Sequence, residues 1–420
     1  MKRVLSSKHL IAMGVNAIIG SGIFLCPGIL AKNLGLFSPW LFLACGLLLA
    51  TVGIQFAHLS KLTDRNGGPY LYAQLAFGNI PAFLIGWIAW FCSMVSTGAV
   101  ASAFGIYLSH FFPNLTPIHI QNFSIVTILF FGLLNTVGVK YGGASMLFLT
   151  ILKTLPLLLF AGFGLVNSFQ LPWQELSTQS FNSSEWPQML LIIFFTYQGF
   201  EAVPIIAGET KHPQSAVPKG IYYSLFFSAL IYFFVQMGIL GGPAVGSSKP
   251  LADQGLFLFG KLGGDLVALL GIISVLGFIA GVSLSASRYL TPLVEDDLLP
   301  KFLGWESKRF QTPYIAILIT QLGSIACVLH SGIQDLMILA ALAVCLQYLI
   351  APLAVWKLSK KAGSTIPYSS YVAFVVSLIF LWNVPPKSWI VAVQVLALGI
   401  ALLLAHRLRK QSVYKASTSS

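Results

Sequence analysis

The sequence contains few charged residues. Charged residues make up only 9% of its 420 residues, and Asp and Glu together number 12. A soluble globular domain carries roughly 25% charged residues, so the composition excludes an ordinary soluble protein. Because 56% of the residues are hydrophobic, we predict a polytopic membrane protein whose solvent is the lipid bilayer.

Other features that the sequence lacks further restrict the class of membrane protein. The five cysteines lie inside apolar segments without metal-site spacing, so the sequence predicts no metal and no disulfide framework. A Gly-rich nucleotide loop of the GxxxxGK[ST] type is missing, which argues against a primary pump. Clustered His, Asp or Cys at a membrane face are also missing, so we predict that the chain is not an enzyme and needs no cofactor. The net charge of +12 comes from Lys and Arg in short loops, where they set topology rather than bind nucleic acid.

Twelve apolar segments are long enough, or nearly so, to cross a bilayer, which takes about 20 residues. The fold class predicted is therefore an all-α integral membrane protein with 12 transmembrane helices. The segments are 9–31, 38–60, 80–110, 121–138, 145–168, 186–209, 218–241, 263–290, 313–330, 333–356, 368–384 and 388–406.

The loop charges predict the orientation of these segments. An even number of spans places both termini on one side. If that side is the cytoplasm, the outer loops hold only Lys32, Lys249, Lys261 and Lys387 of the 24 Lys and Arg, and Lys153 falls inside the fifth span. All the others lie on the inner side, so the positive-inside rule predicts that both termini are cytoplasmic.

Two spans are interrupted in the same way. In the first, Gly22 precedes Pro27 by five positions, and in the sixth, Gly199 precedes Pro204 by five positions. Glycine costs about 1 kcal/mol relative to alanine in a helix interior. Paired interruptions in matching spans of two halves indicate an inverted repeat with a transport site near the bilayer midplane.

The interruptions would present groups of both polarities to a ligand. At the first break, the amides of Ser21, Gly22 and Ile23 begin a new half-helix, whose positive dipole end favours an anion. The carbonyls of the preceding half-helix near Ile18 favour a cation, and span 6 offers similar ends around Phe195. A free α-amino acid is the simplest ligand that carries both groups.

Four stretches resemble the amino acid–polyamine–organocation (APC) transporters. They are IIGSGIF (18–24), RNGGPYLY (65–72), FTYQGFEAVPIIAGETKHPQSAVPKGI (195–221) and SRYLTPLVEDDLLPKF (287–302). The resemblance implies a five-plus-five inverted repeat of the leucine-transporter type, with helices 1 and 6 broken and two further helices at the C-terminus. It implies one transmembrane domain over 1–407, with repeats at about 9–168 and 186–356 and accessory helices at about 368–406. We predict that 408–420 is a disordered cytoplasmic tail.

The resemblance also assigns binding residues. It implies that the substrate carboxylate lies on Ser21, Gly22 and Ile23. The ammonium would meet carbonyls of Ile18, Phe195 and Gln198, with the Phe195 ring as a lid. The positions that would face the substrate side chain are Ser93, Thr97 and Val282.

This sequence departs from the arginine/agmatine exchangers of the family, which carry Trp near the positions of Phe195 and Val282 and Asn near Thr97. A cationic substrate would favour aromatic faces. The sequence therefore predicts alternating-access transport of neutral amino acids across the cytoplasmic membrane, by proton coupling or exchange. A cationic amino acid or polyamine antiporter is the alternative. An amino-acid-gated channel is disfavoured because the spans are uniformly apolar.

Two ionisable residues inside spans are candidates for proton coupling. Lys153 is predicted to reach the carbonyls of broken span 1, and hydroxyls of Ser283, Ser285 and Ser287, in the place of a sodium ion. Because burial disfavours a charged ammonium, its proton could be exchanged as the conformation changes; a lysine snorkelling to the inner face is the alternative. Glu201, just beyond the break in span 6, is predicted to sense protons, to cap the second half-helix, or to do both.

Overall fold

The structure is a computed structural model that describes residues 5–63, 67–137, 143–169, 185–240, 242–286, 289–307, 309–310 and 312–418. The described chain is helical. Its α-helices are α1 (Ser7–Ile18), α2 (Gly22–Leu34), α3 (Phe37–Leu59), α4 (Pro69–Phe77), α5 (Asn79–Leu108), α6 (Pro117–Thr136), α7 (Gly143–Ser168), α8 (Trp186–Thr196), α9 (Pro213–Ile239), α10 (Pro250–Ala286), α11 (Leu290–Glu295), α12 (Tyr314–His330), α13 (Ile333–Lys361), α14 (Tyr368–Trp382) and α15 (Pro386–Thr418). A 3₁₀ helix (Phe200–Glu209) follows α8, and a 3₁₀ turn (Lys301–Gly304) follows α11.

Most of these helices are built to cross a bilayer. In the described residues, eight helical stretches are long and apolar enough to span a membrane, and the pair α1 and α2 would add a ninth. Three shorter apolar stretches, Ile151–Asn167, Tyr314–His330 and Tyr368–Trp382, fall on predicted spans as well. The chain is therefore a multi-pass, all-helical membrane protein.

The first predicted span is broken where its glycines lie. The α1 helix ends at Ile18, α2 begins at Gly22, and the two axes differ by 47°. The amide of Gly20 turns back to the carbonyl of Ile18 (2.7 Å) instead of continuing the helix. Helical bonding resumes when the amides of Phe24 and Leu25 donate to the Ser21 carbonyl, each at 3.1 Å.

The sixth predicted span is also broken. The α8 helix ends at Thr196, and the chain continues at Phe200 as the 3₁₀ helix rather than as a second α-helix. Between them, Gly199 has φ 128°, a left-handed conformation that L-residues with a Cβ rarely adopt. Both predicted breaks are therefore present, and each lies at its glycine.

The helix α9 contacts elements of both breaks. It packs against α1, α3, α7 and the 3₁₀ helix, while α13 packs against α5 and α8. The buried side chains are mainly Leu, Ile, Val, Ala and aromatic residues. Tyr232 on α9 and Tyr348 on α13 are also almost fully buried, which places two hydroxyl groups beside the interrupted backbone.

Two segments are helical outside the predicted spans. The loop after α3 contains the helix α4, because Pro69 occupies its first turn and Gly78 (φ 87°) follows its end, as helix boundaries prefer. At the C-terminus, α15 continues to Thr418, through the segment where the sequence predicts a disordered tail. Lys410 bonds to Asp297 just beyond α11, a tertiary contact that favours continuation of the helix past the apolar part.

Candidate functional site

A cavity of about 110 Å³ lies where the two broken helices meet α5 and α10. Its walls come from the first break, the second break, the middle of α5, the second half of α10, the residue just before α11 and one residue of α13. The lining residues are Ala17, Ile18, Gly20, Ser21, Gly22, Ala89, Cys92, Ser93, Ser96, Val100, Phe195, Thr196, Gln198, Gly199, Glu201, Ala202, Phe278, Val282, Tyr289 and Gln347.

Glycines let the two breaks touch each other. A Cβ placed on Gly22 would lie 2.9 Å from Cγ2 of Thr196, and a Cβ placed on Gly199 would lie 2.5 Å from the backbone carbonyl of Ala17. Both distances are shorter than real Cβ contacts allow. The backbone of each break is therefore held against the other, and the polar ends of four half-helices converge on one cavity.

The first break presents unpaired hydrogen-bond donors. The hydroxyl of Ser21 is buried and has no hydrogen-bond partner among the described residues. The amides of Gly22 and Ile23 begin α2, where no intrahelical acceptor exists. A buried polar group without a partner costs about 1–3 kcal/mol. This end of the cavity is therefore suited to an anionic ligand group.

The carbonyls of the first break are satisfied by the protein itself. The amide of Gly20, the helical partner expected for the Asn16 carbonyl, bonds elsewhere, and the Lys153 ammonium donates to that carbonyl instead. The hydroxyl of Tyr232 lies 2.9 Å from the Ile18 carbonyl and 3.0 Å from the Thr196 carbonyl. One hydroxyl from α9 thus reaches the end of α1 and the end of α8.

The second break carries its own carboxylate. Glu201 Oε2 accepts hydrogen bonds from the Gly199 amide (2.9 Å) and from the Tyr348 hydroxyl (2.6 Å). The ring of Tyr348 packs against Phe56, Phe194 and Phe200, which fixes its direction. Glu201 therefore caps the 3₁₀ helix and connects it to α13. The side-chain amide nitrogen of Gln198 is buried and, among the described residues, without a partner.

Most of the residues predicted from sequence come together here. Those that line the cavity are Ile18, Ser21, Gly22, Ser93, Phe195, Gln198, Glu201 and Val282. Three others do not line it: the Ile23 side chain, Thr97, whose hydroxyl donates to the Ser93 carbonyl at 2.7 Å, and Lys153, which is 2% exposed behind α1. The side chains of Ser283 and Ser285, and all of Ser287, lie outside the described residues.

The sequence reasoning missed several residues. Cys92, Ser96 and Gln347 line the cavity from α5 and α13, and Tyr232 and Tyr348 support it from behind. Phe278 covers Gly20, since a Cβ there would lie 3.3 Å from its ring. A signal existed for α5, because Cys92, Ser93 and Ser96 are three- and four-spaced small residues on one helix face. The tyrosines offered none, since 14 tyrosines are spread along the chain.

Within the residues that the structure describes, no group of three or more His, Cys, Asp or Glu is placed to hold a metal ion. What the geometry offers is a partly open cavity between broken helices of a membrane bundle, with a mostly apolar lining and polar groups at the two breaks. Donors lie at one end of the cavity and a capped carboxylate lies nearby. Such an arrangement is typical of a transporter for small zwitterions.

Known proteins fit this class. The family model described as "Amino acid permease" matches residues 5–405. The chain is 26% identical over 374 residues to the serine/threonine exchanger SteT of Bacillus subtilis (strain 168), covering 86% of this chain and 84% of that protein. It is 29% identical over 381 residues to a putative arginine/ornithine antiporter of the same organism (81% and 80% covered). Against the branched-chain amino acid permease BcaP, also from that organism, it is 26% identical over 343 residues (75% and 72%).

The chain belongs to the amino acid permease family of the APC superfamily. It is a multi-pass protein of the cell membrane, and amino acids are its substrate class.

Proposed function

We propose that this protein is a secondary active transporter of small neutral amino acids that works by alternating access. The proposed architecture has 12 spans, a five-plus-five inverted repeat with broken helices 1 and 6, two accessory helices and cytoplasmic termini. The observation that carries the proposal is the cavity at the contact of the two breaks. Its free donors, Ser21 Oγ and the first amides of α2, match a substrate carboxylate.

The substrate ammonium is proposed to lie toward the second break. The Ile18 carbonyl already accepts from the Gly20 amide (2.7 Å) and lies 2.9 Å from the Tyr232 hydroxyl. The Phe195 carbonyl accepts a long bond from the Gln198 amide, at 3.3 Å, and a further one from the Tyr197 amide. Because the Gln198 bond is longer than either bond to Ile18, Phe195 is proposed as the better acceptor for a substrate N–H. In this proposal, the predicted contact of the ammonium with Ile18 is weaker than its contact with Phe195.

Size and charge favour a small neutral side chain. A cavity of about 150 Å³ holds benzene, which has six heavy atoms, so a cavity of about 110 Å³ suits serine, alanine or threonine better than arginine. The carboxylate that lines the cavity, Glu201, already accepts two hydrogen bonds. Hydroxyl, thiol and amide groups of Ser93, Cys92 and Gln347 form part of the remaining wall.

Lys153 is proposed to take the place of a bound cation. Its ammonium bonds to the carbonyl that the first break leaves without a helical partner. A change in its protonation or position would change the stability of that break. This couples a charge to the conformation of α1 and gives proton coupling a physical route.

Uptake into proteoliposomes tests the proposal. Labelled serine, alanine and threonine are compared with leucine, arginine and ornithine, with and without internal substrate and with an imposed pH gradient. We expect uptake of the small neutral group, stimulated by internal substrate if the protein exchanges and by the gradient if it couples to protons. Preferential uptake of arginine or ornithine would replace the neutral assignment by the cationic one. Ionic current without uptake would indicate a channel.

A further inference from the structure

A second cleft lies at one end of the molecule, apart from the cavity at the breaks. It has a volume of about 560 Å³ and is formed between the last part of α15 and the segment that follows α11. None of its lining residues is shared with the first cavity. Its chemistry must therefore be explained separately from substrate binding.

The cleft is rich in cations. Arg409 and Lys410 come from α15, and Lys301 comes from the opposite wall; all three side chains are exposed. They face two carboxyl groups, those of Glu295 and Asp297. With three cations against two carboxylates, the cleft has an excess of positive charge.

One of the two carboxylates holds the cleft together. Asp297 has φ 58°, and its carboxylate bonds to the Lys410 ammonium and lies 3.4 Å from His406 Nε2. The bond from Lys410 holds the pKa of Asp297 below its ordinary value, so the group stays ionised at neutral pH. Asp297 therefore links the end of α15 to the segment after α11 and holds the two sides of the cleft together.

An apolar track leads into this basic wall. Leu398 and Leu402 lie eleven and seven positions before Arg409, on the same face of α15, and are 57% and 38% exposed. Little of this span is buried inside the protein. In a membrane-spanning helix such a surface contacts acyl chains. The track ends directly at Arg409, and the exposed ring of Phe302 lies in the cleft. A molecule with acyl chains on this track would place its head group among the cations.

We propose that the cleft binds the phosphate head group of an anionic phospholipid, with acyl chains along α15. Basic pockets at the ends of transmembrane helices suit such head groups, and arginine matches phosphate geometry with paired N–H donors. A soluble phosphate would use only the cations, whereas a phospholipid uses the adjoining apolar track as well. The bound lipid would bridge α15 and the segment after α11.

Native mass spectrometry of the full chain in neutral detergent tests the site. Phosphatidylglycerol is compared with phosphatidylcholine of the same acyl chains, and glycerol phosphate is the soluble competitor. The test variant combines Lys301→Gln and Arg409→Gln. The matched control combines Lys249→Gln and Lys261→Gln, which removes two cations from another part of the chain.

We expect the wild type and the control to retain phosphatidylglycerol roughly tenfold better than phosphatidylcholine, and the test variant to lose most of that preference. Equal preference in the test variant and the control would overturn the proposal. So would displacement of the lipid by glycerol phosphate at equal concentration, since the site would then bind a free phosphate. If the double variant does not fold, the site is tested with Lys301→Gln alone and with a salt titration of the wild type. A preference for phosphatidylglycerol that screening salt leaves unchanged would contradict binding by the basic cleft.

Discussion

Both breaks of this transporter interrupt a helix at a glycine, but different polar groups of the backbone are satisfied by the protein at each. At the first, the carbonyls are taken by Lys153 and Tyr232, while the Ser21 hydroxyl and the first amides of α2 are left for a ligand. At the second, the amide of Gly199 is already capped by Glu201. The protein thus carries one carboxylate of its own at the second break, and the proposed site at the first break would hold the carboxylate of a substrate.

In the proposed function, this difference explains how two similar broken helices would bind an asymmetric ligand. Two open helix N-termini would attract two anions, whereas an amino acid brings only one carboxylate. Because Glu201 fills one N-terminal position, the remaining donors at the first break would define a single direction for the proposed substrate. The comparison depends on the two breaks staying in contact, on Lys153, on Ser21 and on the charge of Glu201.

The largest effect is expected from Gly199→Ala, which would separate the breaks. The added Cβ meets the Ala17 carbonyl at 2.5 Å and the residue must keep φ 128°, so we expect a loss of about 2–5 kcal/mol of stability and no transport. Gly363→Ala is the matched control, since it also has positive φ (66°) but has open space around it. Thermal unfolding in detergent measures the difference. Equal melting temperatures for the two variants would contradict the close contact of the breaks.

Lys153→Ala should come next. It leaves the partly buried Asn16 carbonyl without its donor, at a cost of about 1 kcal/mol, and removes the charge proposed to couple to α1. We expect the protein to insert in the membrane with uptake at least tenfold lower, while the exposed Lys261→Ala control keeps wild-type uptake. Initial uptake rates, normalised to purified protein in proteoliposomes, decide this. Normal kinetics in Lys153→Ala would remove Lys153 from the mechanism.

Ser21→Ala should have an intermediate effect confined to binding. A hydrogen bond to a charged group contributes about 1.5 kcal/mol, or roughly a tenfold change in affinity. Ser93→Ala serves as the control, because the Ser93 hydroxyl lines the same cavity but already donates to the Trp90 carbonyl at 2.6 Å. Substrate affinity is measured by calorimetry on purified protein. Equal losses in the two variants would mean that the unpaired hydroxyl of Ser21 has no special role.

Glu201→Gln should have the smallest effect on uptake at a fixed pH. The amide oxygen of glutamine can accept the same two hydrogen bonds, so the break keeps its shape and loses only the charge. We expect uptake to fall by less than about tenfold and its dependence on external pH to become flatter. Rates are compared across a pH series at constant membrane potential. An unchanged pH profile would show that the carboxylate serves as a cap and senses no protons.

Much of the fold and of the candidate site could be predicted from patterns in the sequence. Apolar runs predict the helices, and the Gly22 and Gly199 positions predict the breaks, because a glycine in an apolar span weakens a helix that water cannot support. Ser21 and Phe195, which line the cavity, are predicted at the breaks because they are close in sequence to those glycines. Local chemistry is sufficient where the functional group and the backbone break are neighbours along the chain.

The rest depends on contacts between distant segments. The hydroxyls of Tyr232 and Tyr348 reach the breaks only because α9 and α13 pack beside them. Thr97, predicted from the family resemblance, lies between the lining residues Ser96 and Val100 along α5 but does not line the cavity, and its hydroxyl bonds to the Ser93 carbonyl of its own helix. Such outcomes are set by the packing of helices against one another, and apolar spans carry little polar periodicity from which to predict it.

The central claim, that the first break binds the substrate carboxylate, is tested most directly by comparing an amino acid with its primary amide. The amide keeps the size and the ammonium but loses the negative charge. Binding of both ligands is measured in the wild type and in Ser21→Ala. We predict at least tenfold weaker binding of the amide to the wild type, and a Ser21→Ala loss that is larger for the acid than for the amide. Equal binding of acid and amide, with the same loss for both in Ser21→Ala, would contradict the account.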